Sequence, residues 1–367
     1  MKINLATASS LFCFAITVAA QSTDAGGGLR WIDAQGLCIE GKGWTDTKHL
    51  YDRLPAKAEG VVRDAVWSLG RNSAGICVRF VTDVTEISVR WTVRNNTLAM
   101  PHMPATGVSG VDLYVRHKGQ WRWLGAAGPE KSTTTERKLT SGMTPERREY
   151  LLYLPLYNGT DKIEIGVPSQ AKCEQPAARP KNSKPVVFYG TSIVQGGCAS
   201  RPGMAYSAIL GRRLDCNTIN LGFSGSAQCE PEVATLLAEL DPAVYVLDPL
   251  PNMKPESVPE RMGALVTTLR QSHPATPIVL VEHIDVGSAQ VIASRRTGYS
   301  RSNAALRQLF EQRVRAGDRK LFYIRGEKLL GSDGQGTVDG VHPTDLGFMR
   351  MADVMEPVLK RALRGFK

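Results

Sequence analysis

Two rhythms of apolar residues divide the chain. Across residues 26–167, β-branched and aromatic residues alternate with polar ones or gather in short runs: "GICVRFVTDV", "EISVRWTV", "GVDLYVRHKGQWRWLG" and "REYLLYLPLY". Gly, Asn and Asp punctuate these runs, and stretches of helical period are few. The pattern predicts strands joined by turns, an all-β sandwich of jelly-roll type. Residues 168–184 then turn polar; with four prolines from Pro168 to Pro185 the stretch reads as a linker.

From residue 185 to 367 the period changes. Apolar runs at 186–189, 218–221, 244–247, 277–282 and 320–324 alternate with helical stretches near 203–214, 230–240, 256–272, 300–316 and 345–364. Strands that are apolar at every position, each followed by a helix, predict a parallel sheet covered on both faces. Open sheets of this kind place their sites at the carboxyl ends of the strands. The first strand runs straight into "GTSIVQGG", so Ser192 stands at such an end. A plain β–α turn needs the glycine there but not the hydroxyl.

Composition narrows the setting. Residues 1–20, "MKINLATASSLFCFAITVAA", have the lysine, apolar run and small-residue end of a secretory leader, which predicts a secreted or periplasmic protein. The apolar run from Leu11 to Val18 is too short to span a bilayer, and no later segment predicts stable membrane insertion. Of seven cysteines, Cys13 falls in the leader; Cys38, Cys77, Cys173, Cys198, Cys216 and Cys229 either pair in part or act as small buried apolar residues. No CxxC or His-rich spacing points to a metal, and no cofactor motif is present. The net charge of +10 falls to +9 without Lys2 and is spread along the chain. It reads as a solvated basic surface or an affinity for acidic glycans. No reader motif supports a nucleic-acid partner.

Ester hydrolysis by a serine needs a base for its proton and donors for an oxyanion. Of six histidines, His342 differs: it lies in "VDGVHPTDLGF", with Asp339 three residues before it and the last helix after it. A loop Asp-x-x-His lets the carboxylate orient the imidazole; the alternative is a turn with a cap. "NLGFSGSA" after the second strand offers backbone N–H groups that glycine lets a ligand approach. "DPLPNM" after the third strand offers the amide of Asn252. All four polar loops emerge at one sheet edge.

The series Gly190-Thr191-Ser192-Ile193, Gly225, Asn252 and Asp339-x-x-His342 resembles the SGNH (GDSL-type) hydrolase superfamily. Gly110-Val111-Asp112-Leu113-Tyr114 is similar to the motif of the branch with an N-terminal GxDLY β-sandwich. The resemblance spans the whole mature chain. It implies a flavodoxin-like parallel-sheet hydrolase domain behind the sandwich, with Ser192 as nucleophile, His342 as base and Asp339 as its orienter. It also implies an oxyanion hole of the Ser192 and Gly225 N–H groups and the Asn252 side chain. Thr191 stands where the superfamily often has Asp, and "PLPNM" replaces Gly-x-Asn-Asp; both departures point away from lipid substrates. The implied function is a serine esterase for short acyl groups, with O-acetylated carbohydrate as substrate. A short-chain lipid or phospholipid hydrolase and a non-catalytic glycan-binding protein are the alternatives. In the sandwich, Trp121 and Trp123 read as buried core or interface, or as a sugar platform; His102 reads as structural or as a substrate contact, and Asp112 and Tyr114 read as structural.

Overall fold

The computed structural model describes residues 28–364 apart from residues 131, 181, 182 and 286; the expected leader and Cys13 lie outside them. Ten strands build the first half: β1 (Leu29–Asp33), β2 (Cys38–Glu40), β3 (Cys77–Thr82), β4 (Ile87–Val93), β5 (Val111–His117), β6 (Gln120–Ala127), β7 (Thr134–Thr140), β8 (Arg148–Tyr153), β9 (Thr160–Pro168) and β10 (Cys173–Glu174). Two short helices, α1 (Asp64–Gly70) and α2 (Ala105–Val108), interrupt them. The strands form two antiparallel sheets, ordered β1-β9-β4-β7 and β10-β3-β8-β5-β6, with β2 on β3. The chain changes sheet at nearly every connection, which is the interleaving of a jelly roll. Alternation fills the space between the sheets: Trp91 is fully buried, whereas its neighbour Arg90 pairs with Glu136 outside. Phe80 stacks on Tyr150 at 5.2 Å within the same core.

In the second half, β11 (Val186–Gly190), β12 (Thr218–Gly222), β13 (Val244–Asp248), β14 (Ile278–Val281) and β15 (Leu321–Ile324) form a parallel sheet ordered β12-β11-β13-β14-β15. Six helices accompany it: α3 (Ser192–Gln195), α4 (Tyr206–Leu214), α5 (Pro231–Ala238), α6 (Val258–Ser272), α7 (Ala293–Arg315) and α8 (Asp345–Arg364). Val186 and Phe188 of β11 pack towards α4 and α8, and Val187 and Tyr189 towards α5 and α6. Both faces are therefore dry, which is why these strands read as unbroken apolar runs. The order places β11 first in the chain but second in the sheet, the switch point of a flavodoxin-like fold.

Two features depart from the sequence pattern. The polar stretch after residue 167 is partly sheet: Pro168 closes β9 opposite Leu29, and Cys173 pairs with Thr82. Proline is tolerated at a strand end, where no further ladder bond is required of it. Second, the excursion between β2 and β3 leaves the sandwich. Leu54, Ala58, Val62 and Val66 bury themselves on the parallel sheet beside Val187, Tyr189 and Leu221. The six described cysteines are all free thiols, so the pairing option is not realised. None of the described helices is long and apolar enough to cross a membrane.

Candidate active site

Strand β11 ends on Gly190 because nothing larger fits: a Cβ there would lie 2.4 Å from the Asp248 carbonyl oxygen and 2.4 Å from Val194. Thr191 caps α3, its hydroxyl accepting the Ile193 N–H at 3.3 Å. Ser192 is thus the first helical residue, at the carboxyl end of the sheet, and only 6% exposed. Its Oγ lies 2.9 Å from His342 Nε2, and His342 Nδ1 lies 2.7 Å from Asp339 Oδ2. With the Nδ1 proton donated to the carboxylate, Nε2 presents its lone pair to the serine hydroxyl. Two other histidines face elsewhere: His273 meets the Ala238 carbonyl at 2.8 Å, and His283 is buried against Tyr299 with Nδ1 at the Ile284 carbonyl. Burial lowers His283 to about 4 despite that carbonyl, so it is neutral.

The histidine loop is built locally. Asp339 Oδ1 accepts the N–H groups of Val341 at 2.9 Å and His342 at 2.8 Å, an Asx turn around Gly340, whose φ of +82° suits glycine. The Val338 N–H closes the loop onto the His342 carbonyl at 2.8 Å. Partial burial would raise the Asp339 pKa, but the backbone N–H and ring of His342 and the Val341 N–H outweigh it and hold it at about 2. Asp345, at the start of α8, accepts the Ser200 N–H at 2.9 Å and its hydroxyl, tying this loop to the one after Ser192.

Register sets the opposite wall. Gly190 aligns with Gly222 of β12 and Asp248 of β13, so the loops carrying Gly225 and Asn252 start level with Ser192. Asn252 Oδ1 accepts the Ala227 N–H at 3.2 Å, which joins those loops and leaves its NH2 free to donate. Gly225 has φ +68°, and no atom lies within 4 Å of where its Cβ would be. The Ser192 and Gly225 N–H groups and Asn252 Nδ2 have no protein acceptor among the described residues.

Beneath this wall lies a polar network that periodicity does not reveal. Gln195 is fully buried: its amide donates to the Leu156 carbonyl at 3.0 Å and Asn72 Oδ1 at 3.1 Å, and its oxygen accepts the Ser224 N–H at 3.0 Å. Asn220 donates to the Val194 carbonyl at 2.6 Å. Arg53, from the excursion out of the sandwich, is 1% exposed and donates to the carbonyls of Leu69, Asn72, Asn220 and Gly222. Burial lowers its guanidinium to about 9, with Tyr157 and Asp52 opposing the shift, so it stays charged at neutral pH. Tyr157 donates to the Ser192 carbonyl at 3.3 Å. The one local signal for this network was Gln195 at three residues from Ser192, on the same face of a helical turn.

The sandwich meets the parallel-sheet half through the Gly110–Tyr114 motif. Buried Asp112 accepts from Trp123 Nε1 at 3.0 Å, Arg201 Nη1 at 2.7 Å and the Gly203 N–H at 2.8 Å, and Tyr114 also takes Arg201. Burial raises the Asp112 carboxyl, with Arg201 opposing. Asp112 and Tyr114 are therefore a seam between the halves. Trp121 packs beside Tyr114, Tyr153 and Ala208 at that seam, whereas Trp123 is 53% exposed beneath Arg201. His102 departs from its structural reading: it is exposed, with its ring 5.7 Å from that of His342.

A parallel 2-1-3-4-5 sheet with a serine, a histidine and an aspartate in line at its carboxyl edge defines a hydrolase of the SGNH class, and comparison with known proteins agrees. The family model of GDSL-like lipases and acylhydrolases matches residues 183–360, and the GxDLY model, the N-terminus of SGNH-hydrolase-type esterases, matches residues 29–173. A GDSL-like lipase from Bacteroides ovatus ATCC 8483 superposes with TM-score 0.86 at 36% identity, over 92% of this chain and 98% of that one. A salicylyl-acyltransferase from a tetracycline biosynthetic pathway gives 0.71 at 17% identity, over 91% and 97%. A family two carbohydrate esterase from Clostridium thermocellum, in complex with cellohexaose, gives 0.57 at 18% identity, over 80% and 94%. No curated protein sequence matches. The chain belongs to the GDSL-like lipase/acylhydrolase family, in the branch with a GxDLY N-terminus.

Proposed function

We propose that this protein is a secreted serine esterase that removes short acyl groups, chiefly O-acetyl groups on carbohydrate. The reading rests on the hydrogen-bonded line from Ser192 Oγ through both nitrogens of His342 to Asp339, at 2.9 and 2.7 Å. His342 takes the hydroxyl proton as Ser192 attacks the acyl carbonyl, and Asp339 stabilises the imidazolium that forms. The Ser192 and Gly225 N–H groups and the Asn252 amide receive the oxyanion, each donor worth roughly 2.7–4 kcal/mol. His342 then gives its proton to the departing sugar oxygen. Water, deprotonated in turn by His342, releases acetate and restores Ser192.

Support for the carbohydrate substrate comes at the level of fold, from carbohydrate esterases among the structural neighbours, and from Thr191 and "PLPNM", which depart from the lipid-directed pattern. Support for export comes from residues 1–20. The decisive assay is acetate release from acetylated xylan and glucomannan, run beside octanoyl and longer esters. Preference for the long acyl chains overturns the substrate reading. A fluorophosphonate probe that leaves Ser192 unlabelled overturns the esterase reading altogether.

A further inference from the structure

Beside the relay, four residues from three separate segments bring metal-binding atoms together. His102 comes from the loop between β4 and β5, Cys198 from the turn after α3, and Asp339 and His342 from the loop before α8; one ligand atom from each lies within 4.8 Å of every other. Sequence spacing conceals the group, because the first and last members stand far apart in the chain. Two imidazoles, a thiol and a carboxylate make the four-donor set that tetrahedral zinc takes.

We propose that His102, Cys198, Asp339 and His342 form a zinc-binding site whose occupancy switches the esterase off. Zinc bonded to sulfur at ~2.3 Å and to nitrogen or oxygen at ~2.0–2.1 Å sets its ligand atoms about 3.3–3.7 Å apart. The cluster must therefore contract by about 1 Å at its widest. His102 can supply that movement, being exposed on a loop with its ring tilted 43° to that of His342. Cys198 is 5% exposed, with φ +70° in the left-handed region. Its sulfur lies beside the Asp339 carboxylate, within 4.8 Å of one of its oxygens. A dication reverses the local field: the sulfur–zinc bond forms as the thiol proton leaves to solvent.

Inhibition follows whichever imidazole nitrogen the ion takes. On Nε2 it occupies the lone pair that faces Ser192; on Nδ1 it breaks the bond to Asp339 and leaves the ring without its orienter. The loss of activity rests on the proposed esterase function, but metal binding does not, and the two are read separately.

Chelator-washed protein is titrated with cobalt(II) chloride and, in parallel, assayed for p-nitrophenyl acetate hydrolysis with increasing zinc chloride. Expected are a thiolate-to-cobalt charge-transfer band, zinc inhibition reversed by EDTA, and apparent affinity that tightens as pH rises, because binding releases a proton. Cys198→Ser should abolish the band. Both Cys198→Ser and His102→Ala should keep basal activity while raising the zinc concentration for half-inhibition at least about tenfold. His102 is exposed, so its variant tests the site even if the cysteine variant folds poorly. The proposal is overturned by a wild-type protein without the band, by a band undiminished in Cys198→Ser, or by equal zinc sensitivity in wild type and His102→Ala. A protein that shows the band but hydrolyses no ester refutes the functional reading and leaves the metal site standing.

Discussion

Ser192 and His342 meet at 2.9 Å, yet they are mounted in opposite ways. The serine side is deep: Ser192, Gln195, Asn220, Asp248 and Arg53 are all buried. Its supports cross the whole molecule, from Arg53 and Asn72 in the excursion between sandwich strands to Gly222 at the end of β12. The histidine side is shallow and local. The Asp339 side chain is 35% exposed, its hydrogen-bond donors lie within three residues, and the ion pair Arg350–Asp333, between α8 and the loop before it, has side chains 27% and 49% exposed. Two carboxyls record the contrast. Burial raises Asp248 to about 8, opposed only by the Tyr206 hydroxyl at 2.9 Å, whereas N–H donors hold Asp339 at about 2 against its partial burial. Donors for an oxyanion must not reorganise during reaction, which favours a dry, rigid mount; a base that exchanges protons with water needs access to it.

Replacing the reacting groups should have the largest effect. Ser192→Ala should lower kcat by at least ~10⁴-fold with an unchanged melting curve, and Asp339→Asn by about 10³–10⁴-fold through the wrong tautomer with a stability loss of at most about 1 kcal/mol. Wild-type turnover by Ser192→Ala would remove the site from consideration. On the proposed mechanism Asn252→Ala should lower kcat by ~10²–10³-fold with little change in KM, since in that mechanism its amide serves the oxyanion rather than the ground state.

The supports then test the contrast itself. Arg53→Met removes the guanidinium donor from four carbonyls, those of Leu69, Asn72, Asn220 and Gly222, so stability should fall by a few kcal/mol at about 1–3 kcal/mol per unmade bond after relaxation, and kcat should fall with it. Arg350→Met, on the histidine side, should cost at most about 1 kcal/mol and leave kcat within about twofold. Equal losses in denaturant melts of the two variants would erase the distinction between the mounts.

The carboxyls predict opposite pH behaviour. Asp248 has a folded pKa above the unfolded value of about 3.9, so its contribution is complete in acid and is lost as pH rises through about 8. Asp248→Asn should remove that alkaline decline, a gain on the order of a few kcal/mol at pH 9. Asp339 has a folded pKa below the unfolded value, so its contribution holds above about pH 4 and is lost as pH falls through about 2. Being over a third exposed, it should change acid stability much less. Urea titrations of both variants between about pH 2 and pH 9, the window spanning these shifts, check both signs.

Much of this was legible in one dimension. Unbroken apolar runs foretold strands buried on both faces, and alternation foretold the sandwich. Gly190 before Ser192, and Asp339 three residues before His342, are spacings that a turn writes directly into the chain. The polar stretch after residue 167 misled because β10 has only two residues, too few for any period. The excursion carrying Arg53 was hidden for a different reason: its apolar residues face a sheet that appears more than a hundred residues later.

Local spacing, then, determined the elements, the turn that carries the serine and the carboxylate that orients the imidazole, because each depends on residues within one or two turns of backbone. Tertiary structure alone decided that Arg53 braces the Gly222 carbonyl, that Asp112 and Arg201 join the halves, and that His102 and Cys198 meet beside His342. Those contacts depend on which loops the strand order sets side by side. A two- or four-residue period carries no information about a neighbour from another part of the chain.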